Sequence, residues 1–328
     1  MKMNELIDSF SKQLSEAFTI GSKATFSNPK KEIQNVFISG LGGSGIGGTI
    51  VTQLTEGEIK VPITVGKDYF IPAWVNENTL MIISSYSGNT EETLQAMASG
   101  INQKAQIVCI SSGGKVIDIA KENGYDHIII PGGNPPRACL AYSLTQLLFV
   151  LNGYHLIGDS FKSSLKASIN LIESEFNHIK EESKNIASGL KGKIPVIYCT
   201  APYEGTAIRL RQQINENSKM LCWHHALPEM NHNELVGWTE SQPNVAVLMF
   251  KAEDDFDRTQ VRMNLTKGVI QKFAPVFEVN AKGSDRLQRM IYFIHWGDQL
   301  SWHLSELQQC DAMEVNVIDF LKGELSKV

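Results

Sequence analysis

The chain alternates short apolar runs with longer amphipathic ones. "NVFIS" (35–39), "VPITV" (61–65), "TLMIISS" (79–85), "AQIVCISS" (105–112) and "HIII" (127–130) are nearly continuous in apolar side chains. A strand with one wet face would alternate, whereas a strand covered on both faces of a parallel sheet reads as an unbroken run. Helical patterns separate these runs, from about Ile46, from Glu91 and over "KVIDIAKEN". The succession predicts an α/β fold with helices on both faces of a parallel sheet. Ahead of it, Leu6, Ile7, Phe10, Leu14 and Phe18 mark one amphipathic helix.

The pattern breaks near Asp159 and then restarts. "FKSSLKASINLIESEFNHIKEESKNIASGL" (161–190) predicts one long helix with a solvated charged face. Strand runs follow at "IPVIYCT" (194–200), "VAVLMF" (245–250) and "PVFEVNA" (275–281), with a turn "APYEGT" and a helix after the first of them. The two halves share a plan without a close sequence repeat. The expectation is two similar α/β domains, residues 1–157 and 158–328, joined by the long helical segment. Ligands in such sheets sit beyond the carboxyl ends of the strands.

Composition narrows the classes. A chain of 328 residues with 42% hydrophobic and 20% charged residues can bury a substantial core, and its net charge of −5 speaks against a nucleic-acid or anionic-membrane surface. The longest apolar stretch, "ACLAYSLTQLLFVLNGYHLIG" (138–158), carries Tyr, Ser, Thr, Gln, Asn and His, which suits a buried helix better than a bilayer span. The N-terminus lacks an apolar signal core, and five scattered cysteines without CxxC spacing fit buried thiols in a reducing compartment. A cytoplasmic protein is expected.

Two loops carry the chemistry of the first half. "SGLGGSGIGG" (39–48) follows the first strand and opens a helix, so its backbone can approach an anion closely. Gly40, Gly42 and Gly45 also satisfy GxGxxG, and Asp68 stands 23 residues past Gly45, which keeps a nicotinamide-dependent dehydrogenase in play. "SSYSGNTEET" (84–93) gathers Ser84, Ser85, Ser87, Asn89 and Thr90 at another helix start. An N-cap with acids in the first turn accounts for Thr90, Glu91 and Glu92 but not for the remaining hydroxyls, which suit a monoester phosphate.

"GLGGSGIGG" with "SYSGNTEET" resembles the sugar isomerase (SIS) domain. Two such domains with "PPRACLAY", "NEN" and "NHNE" in that order resemble the bifunctional phosphoglucose/phosphomannose isomerase family, strongly at these five motifs and weakly between about Gln242 and Asp298. The resemblance implies two flavodoxin-like SIS domains, each a parallel-sheet sandwich. It implies that Gly42, Gly43 and Ser44 line the substrate, that Ser85, Ser87 and Thr90 hold its phosphate, and that Arg137 stabilises the charged intermediate. It further implies that Glu216 is the general base and that His232, with Lys322, opens the sugar ring. Asn231, Asn233 and Glu234 are expected to support His232, with Trp238 as packing.

Ser218 and Glu229–Met230 depart from the small or apolar residues of the family and bear on sugar preference. His224 and His225 point to opposite sides if extended and lack zinc-ligand spacing, so neither a metal nor another cofactor is expected. The resemblance implies a phosphosugar substrate, no nucleic acid or membrane partner, and a homodimer in which His232 serves the neighbouring subunit's site. The rival readings are a phosphosugar-binding regulator without turnover and the dehydrogenase.

Overall fold

The computed structural model describes residues 2–327. In chain order the elements are α1 (Met3–Asp8), α2 (Phe10–Ser22), β1 (Asn35–Ser39), α3 (Gly42–Thr55), β2 (Ile63–Gly66), β3 (Thr79–Ser84), α4 (Glu91–Asn102), β4 (Gln106–Ser111), α5 (Gly114–Asn123), β5 (Asp126–Ile129), α6 (Leu140–Gly153) and α7 (Ser160–Leu190). There follow β6 (Ile194–Thr200), α8 (Glu204–Ser218), β7 (Trp223–Leu227), β8 (Val245–Lys251), α9 (Asp257–Ile270), β9 (Val276–Asn280), α10 (Arg286–Gln308) and α11 (Asn316–Leu325).

The chain divides into two compact units. The first comprises Ser9–Ser174 with Lys282–Ile291; the second comprises Met1–Asp8, Glu175–Ala281 and Tyr292–Val328. The expected division at 157/158 falls in the loop before α7, whereas packing places it inside that helix, whose 31 residues extend into both units. The single N-terminal helix expected from periodicity is instead two, broken at Ser9, where the chain passes from the second unit to the first.

In the first unit every strand pair is parallel, in the order β2-β1-β3-β4-β5. All six residues of β3 and four of five in β1 are buried, as unbroken apolar runs in a central strand require. On one face Phe37, Met81, Ile83 and Cys109 pack against Ala96, Met97, Val116 and Ala120 from α4 and α5. Helix α6 is buried from Leu140 to Leu151, all round, and its Gln146 amide donates to the Ala17 carbonyl, so the polar interruptions of that stretch serve a core helix.

The second unit repeats the order with one strand fewer, β7-β6-β8-β9, again all parallel. Val196, Tyr198, Val247 and Met249 pack with Met230, Trp238, Met263 and Ile270 on one face. Each fully buried side chain of this kind contributes about 1.5–3 kcal/mol. The strand order reverses between β1 and β3 in the first unit and between β6 and β8 in the second. Such switch points, at the carboxyl edge, open the crevice in which this architecture binds ligands.

Candidate active site

At the switch point of the first unit two helices begin without a side-chain cap. Leu41 precedes α3 and cannot accept, and Thr90 precedes α4 in an extended conformation without capping it. The Thr90 hydroxyl instead accepts from the Ser85 hydroxyl at 3.2 Å. The first backbone N–H groups of both helices are thus left without the usual side-chain acceptor, beside neighbouring strands. Uncapped helix starts are where backbone N–H groups are open to an anion.

The loop from Ser85 to Thr90 is held by its own backbone. Ser85 Oγ accepts from the Gly88 N–H and Ser87 Oγ from the Asn89 N–H, each at 3.2 Å. Gly88 has φ +69°, and a Cβ there would stand 1.8 Å from the Gly113 carbonyl oxygen, so only glycine allows this turn to close against the β4–α5 loop. Ser44 faces the same place: its hydroxyl accepts from the Tyr86 N–H at 2.9 Å.

Arg137 lies on a short helical turn, Pro136–Ala138, that packs on the start of α3. A Cβ on Gly43 would come within 3.0 Å of the Pro136 carbonyl group and 3.2 Å of the Arg137 nitrogen. Arg137 itself is 4% exposed. The first unit therefore brings together Gly42, Gly43, Ser44, Ser85, Ser87, Thr90 and Arg137, the expected phosphate and charge-stabilising groups. Asp68, which the dinucleotide reading needs, accepts from the following backbone N–H of Tyr69 at 2.7 Å.

In the second unit Glu216 is half-buried near the carboxyl end of α8. One face of this helix is polar yet fully buried. Arg209 and Gln213 donate to the two oxygens of Asp298 on α10 at 2.9 and 2.8 Å, and Asn217 donates to the Ser301 hydroxyl at 3.0 Å. Ser218 donates to the Ser301 carbonyl at 2.7 Å, so this departure from the family faces α10. An apolar seam tolerates sliding; a seam of directed bonds at positions i, i+4 and i+8 admits one register. That register sets where Glu216 stands. The spacing of Arg209, Gln213 and Asn217 was the sequence signal for it, unread because polar residues on a helix ordinarily face water.

Helix α8 ends at Lys219, whose φ is +57°, and its ammonium donates to the carbonyls of Glu216 at 2.6 Å and Glu314 at 2.7 Å. This tie brings the segment before α11 to the end of α8. Glu216 then lines a cleft of about 230 Å³ with Asn215, Lys219, Glu314, Val315, Val317 and Ile318. Lys322 is exposed one turn beyond Ile318 on α11, outside the lining residues.

His232 is exposed in the loop after β7, on the last residue of a short helical turn, Glu229–His232. Its expected supports bond elsewhere. Asn231 donates to Thr266 at 2.8 Å, Asn233 donates to Glu229 at 2.8 Å and accepts from the Glu234 N–H. Glu234 accepts from Tyr198 at 2.5 Å and Trp223 at 3.0 Å, and pairs with His225 Nδ1 at 2.8 Å. These bonds fasten the loop that carries His232, not its ring. Burial pushes the Glu234 carboxyl up, but the bonds from Tyr198, Trp223 and His225 outweigh it and leave the group below the usual carboxylate range. Trp238 packs in the core and donates to the Tyr198 hydroxyl at 3.1 Å.

His224 and His225 do point to opposite sides of β7: the first pairs with Glu204 at 3.7 Å, the second with Glu234. Among the described residues no three His, Cys, Asp or Glu side chains are grouped as a metal ion requires. No helix of the described residues is long and apolar enough to cross a membrane.

Comparison with known proteins decides the family. Over 99% of each chain the sequence is 37% identical to the bifunctional phosphoglucose/phosphomannose isomerase of Caldicellulosiruptor bescii. This chain belongs to that family. Residues 179–325 match the bacterial phospho-glucose isomerase C-terminal SIS domain. A more distant relative, 31% identical over 69% of this chain and 71% of its own, is the D-glucosamine-6-phosphate 4-epimerase of Sulfolobus acidocaldarius. The fold is that of the C-terminal domain of glucosamine-fructose-6-phosphate aminotransferase from Francisella tularensis, with TM-score 0.75, 15% identity, and coverage of 95% of this chain and 98% of that one. Two SIS-type α/β units on parallel sheets are thus the architecture, as the motifs implied, and membership of an isomerase family leaves the dehydrogenase reading without support.

Proposed function

We propose that the protein interconverts glucose 6-phosphate and mannose 6-phosphate with fructose 6-phosphate. The observation that carries the reading is the uncapped start of α4, with Ser85, Ser87 and Thr90 around it, together with the turn that presents Arg137 on the start of α3. Hydroxyls and backbone N–H groups there hold the phosphate monoester.

On this reading His232, assisted by Lys322, protonates the ring oxygen and takes the proton from the C1 hydroxyl (C2 in the ketose), which opens the hemiacetal. The Glu216 carboxylate removes the proton from C2 of the open aldose; the C–H electron pair forms the C1–C2 double bond and the carbonyl electrons go to O1. Arg137 stabilises the resulting cis-enediolate. The O2 hydroxyl proton passes to O1, and return of the proton from Glu216 to C1 then makes O2 the carbonyl and O1 the hydroxyl of the ketose. Sugars epimeric at C2 lose their difference in the shared enediol, so one site serves both. The base-and-acid pair separates this reading from a regulator that binds without turnover.

The site is completed by a second copy of the chain, which supplies His232. Its support is the placement of Glu216 and His232 beyond opposite ends of β7. We place the enzyme in the cytoplasm, in keeping with five free thiols, three of them buried. The test is a coupled assay of both aldose phosphates against fructose 6-phosphate, with and without EDTA. Turnover of both, insensitive to chelator, is expected; 4-epimerisation of glucosamine 6-phosphate in place of ketose formation would overturn the reading.

A further inference from the structure

Tyr86 is the residue on which the loops of the first unit converge. Its backbone N–H donates to Ser44 in the glycine loop, and its carbonyl accepts from the Ser112 N–H at 3.0 Å and the Ser112 hydroxyl at 2.7 Å. The residue is 9% exposed. Its hydroxyl oxygen accepts from the Asn134 N–H at 3.2 Å and from the Cys139 thiol at 3.4 Å. Asn134 and Cys139 flank Arg137 on either side, three residues before it and two after. One oxygen atom is therefore bonded to both ends of the segment that presents the guanidinium. Burial, with the Cys139 bond second, pushes the phenol up, so it stays protonated and neutral wherever the enzyme works.

We propose that Tyr86 is a positioning residue that acts through Arg137: its hydroxyl fixes the Pro136–Ala138 turn, and so the guanidinium, against the start of α3. The inference rests on the reading of Arg137 as the group that stabilises the enediolate. A charge that forms only in the transition state is served by a donor already in place, and a displacement of one ångström costs about 10²-fold. The backbone bonds of Tyr86 hold the phosphate loop independently of the ring, so loss of the hydroxyl spares phosphate binding.

The experiment is Tyr86→Phe, alone and with Arg137→Ala, assayed for kcat, KM and inhibition by inorganic phosphate. Tyr86→Phe is expected to lower kcat about 10- to 100-fold, with the phosphate inhibition constant held within about twofold. In the Arg137→Ala background it should cost nothing further, the mark of two residues acting as one unit. Cys139→Ala, which removes one of the two donors, should lower kcat by a smaller factor and likewise only when Arg137 is present. A wild-type kcat in Tyr86→Phe, or losses that multiply in the double variant, would overturn the proposal. So would a phosphate affinity that falls in step with kcat, since Tyr86 would then act through the phosphate loop. If Arg137→Ala alone keeps the wild-type kcat, the role of Arg137 is what fails, and this result is distinct from a silent Tyr86→Phe.

Discussion

Glu216 and His232 lie beyond opposite ends of β7. Glu216 precedes the first residue of that strand by seven positions, at the end of the helix that returns to the amino edge of the sheet, and His232 follows its last residue by five, beyond the carboxyl edge. A five-residue strand spans about 16 Å. On the function proposed above, this placement assigns the base and the ring-opening acid of one site to different chains of a dimer. Co-expression of Glu216→Gln with His232→Ala should therefore restore activity: in a random heterodimer one site carries both lesions and the other carries neither, giving about a quarter of wild-type turnover under two-fold symmetry. If chains exchange and no activity returns, each site is built within one chain.

Glu216→Gln keeps the shape of the side chain and the seam that places it. Turnover should fall by about 10²–10⁴-fold while inorganic phosphate still inhibits as in the wild type. A variant that isomerises at the wild-type rate would make Glu216 an ordinary helix acid.

Two glycine substitutions should separate the functions of the first unit. Gly43→Ala places a methyl 3.0 Å from the Pro136 carbonyl and displaces the Arg137 turn, so kcat should fall about 10- to 100-fold with KM little changed. Gly88→Ala meets both a positive φ and the Gly113 oxygen at 1.8 Å. It should cost at least about 1–3 kcal/mol in thermal unfolding and weaken phosphate inhibition. Equal effects of both on phosphate binding would show that Gly43 belongs to the phosphate site.

Acid should weaken the second unit through His295. This side chain is fully buried on α10 and stacked on Phe176, and burial brings its pKa from 6.5 down to about 4, with Asp8 raising it and Lys180 lowering it. The unfolded chain takes up the proton near pH 6.5 and the folded one near 4, so stability present above 6.5 is lost as the pH falls through that window. Thermal unfolding followed from pH 7 to 4 should show the fall, and His295→Gln should flatten it whatever its stability at pH 7. An unchanged slope in that variant would assign the fall to the carboxylates.

Eight of the nine described strands, the two-fold repetition of the plan, the buried α6 and the serine-rich turn after β3 were legible along the chain, because each rests on local periodicity or on residues adjacent in sequence; β7 was not, since "WHHAL" carries two histidines in place of an apolar run. Ser85, Ser87 and Thr90 belong to one turn, and a run such as "TLMIIS" is buried in β3 whatever its neighbours are. Tertiary structure alone decided what distant segments do to one another. Nothing in "NHNE" says that Glu234 turns to Tyr198, Trp223 and His225 and leaves the His232 ring exposed. Nothing local tells that Arg209 faces Asp298, 89 residues away, in place of water. Polar side chains have no face of their own; a buried partner chooses it, and hydrogen-bond geometry then fixes the register that periodicity leaves free.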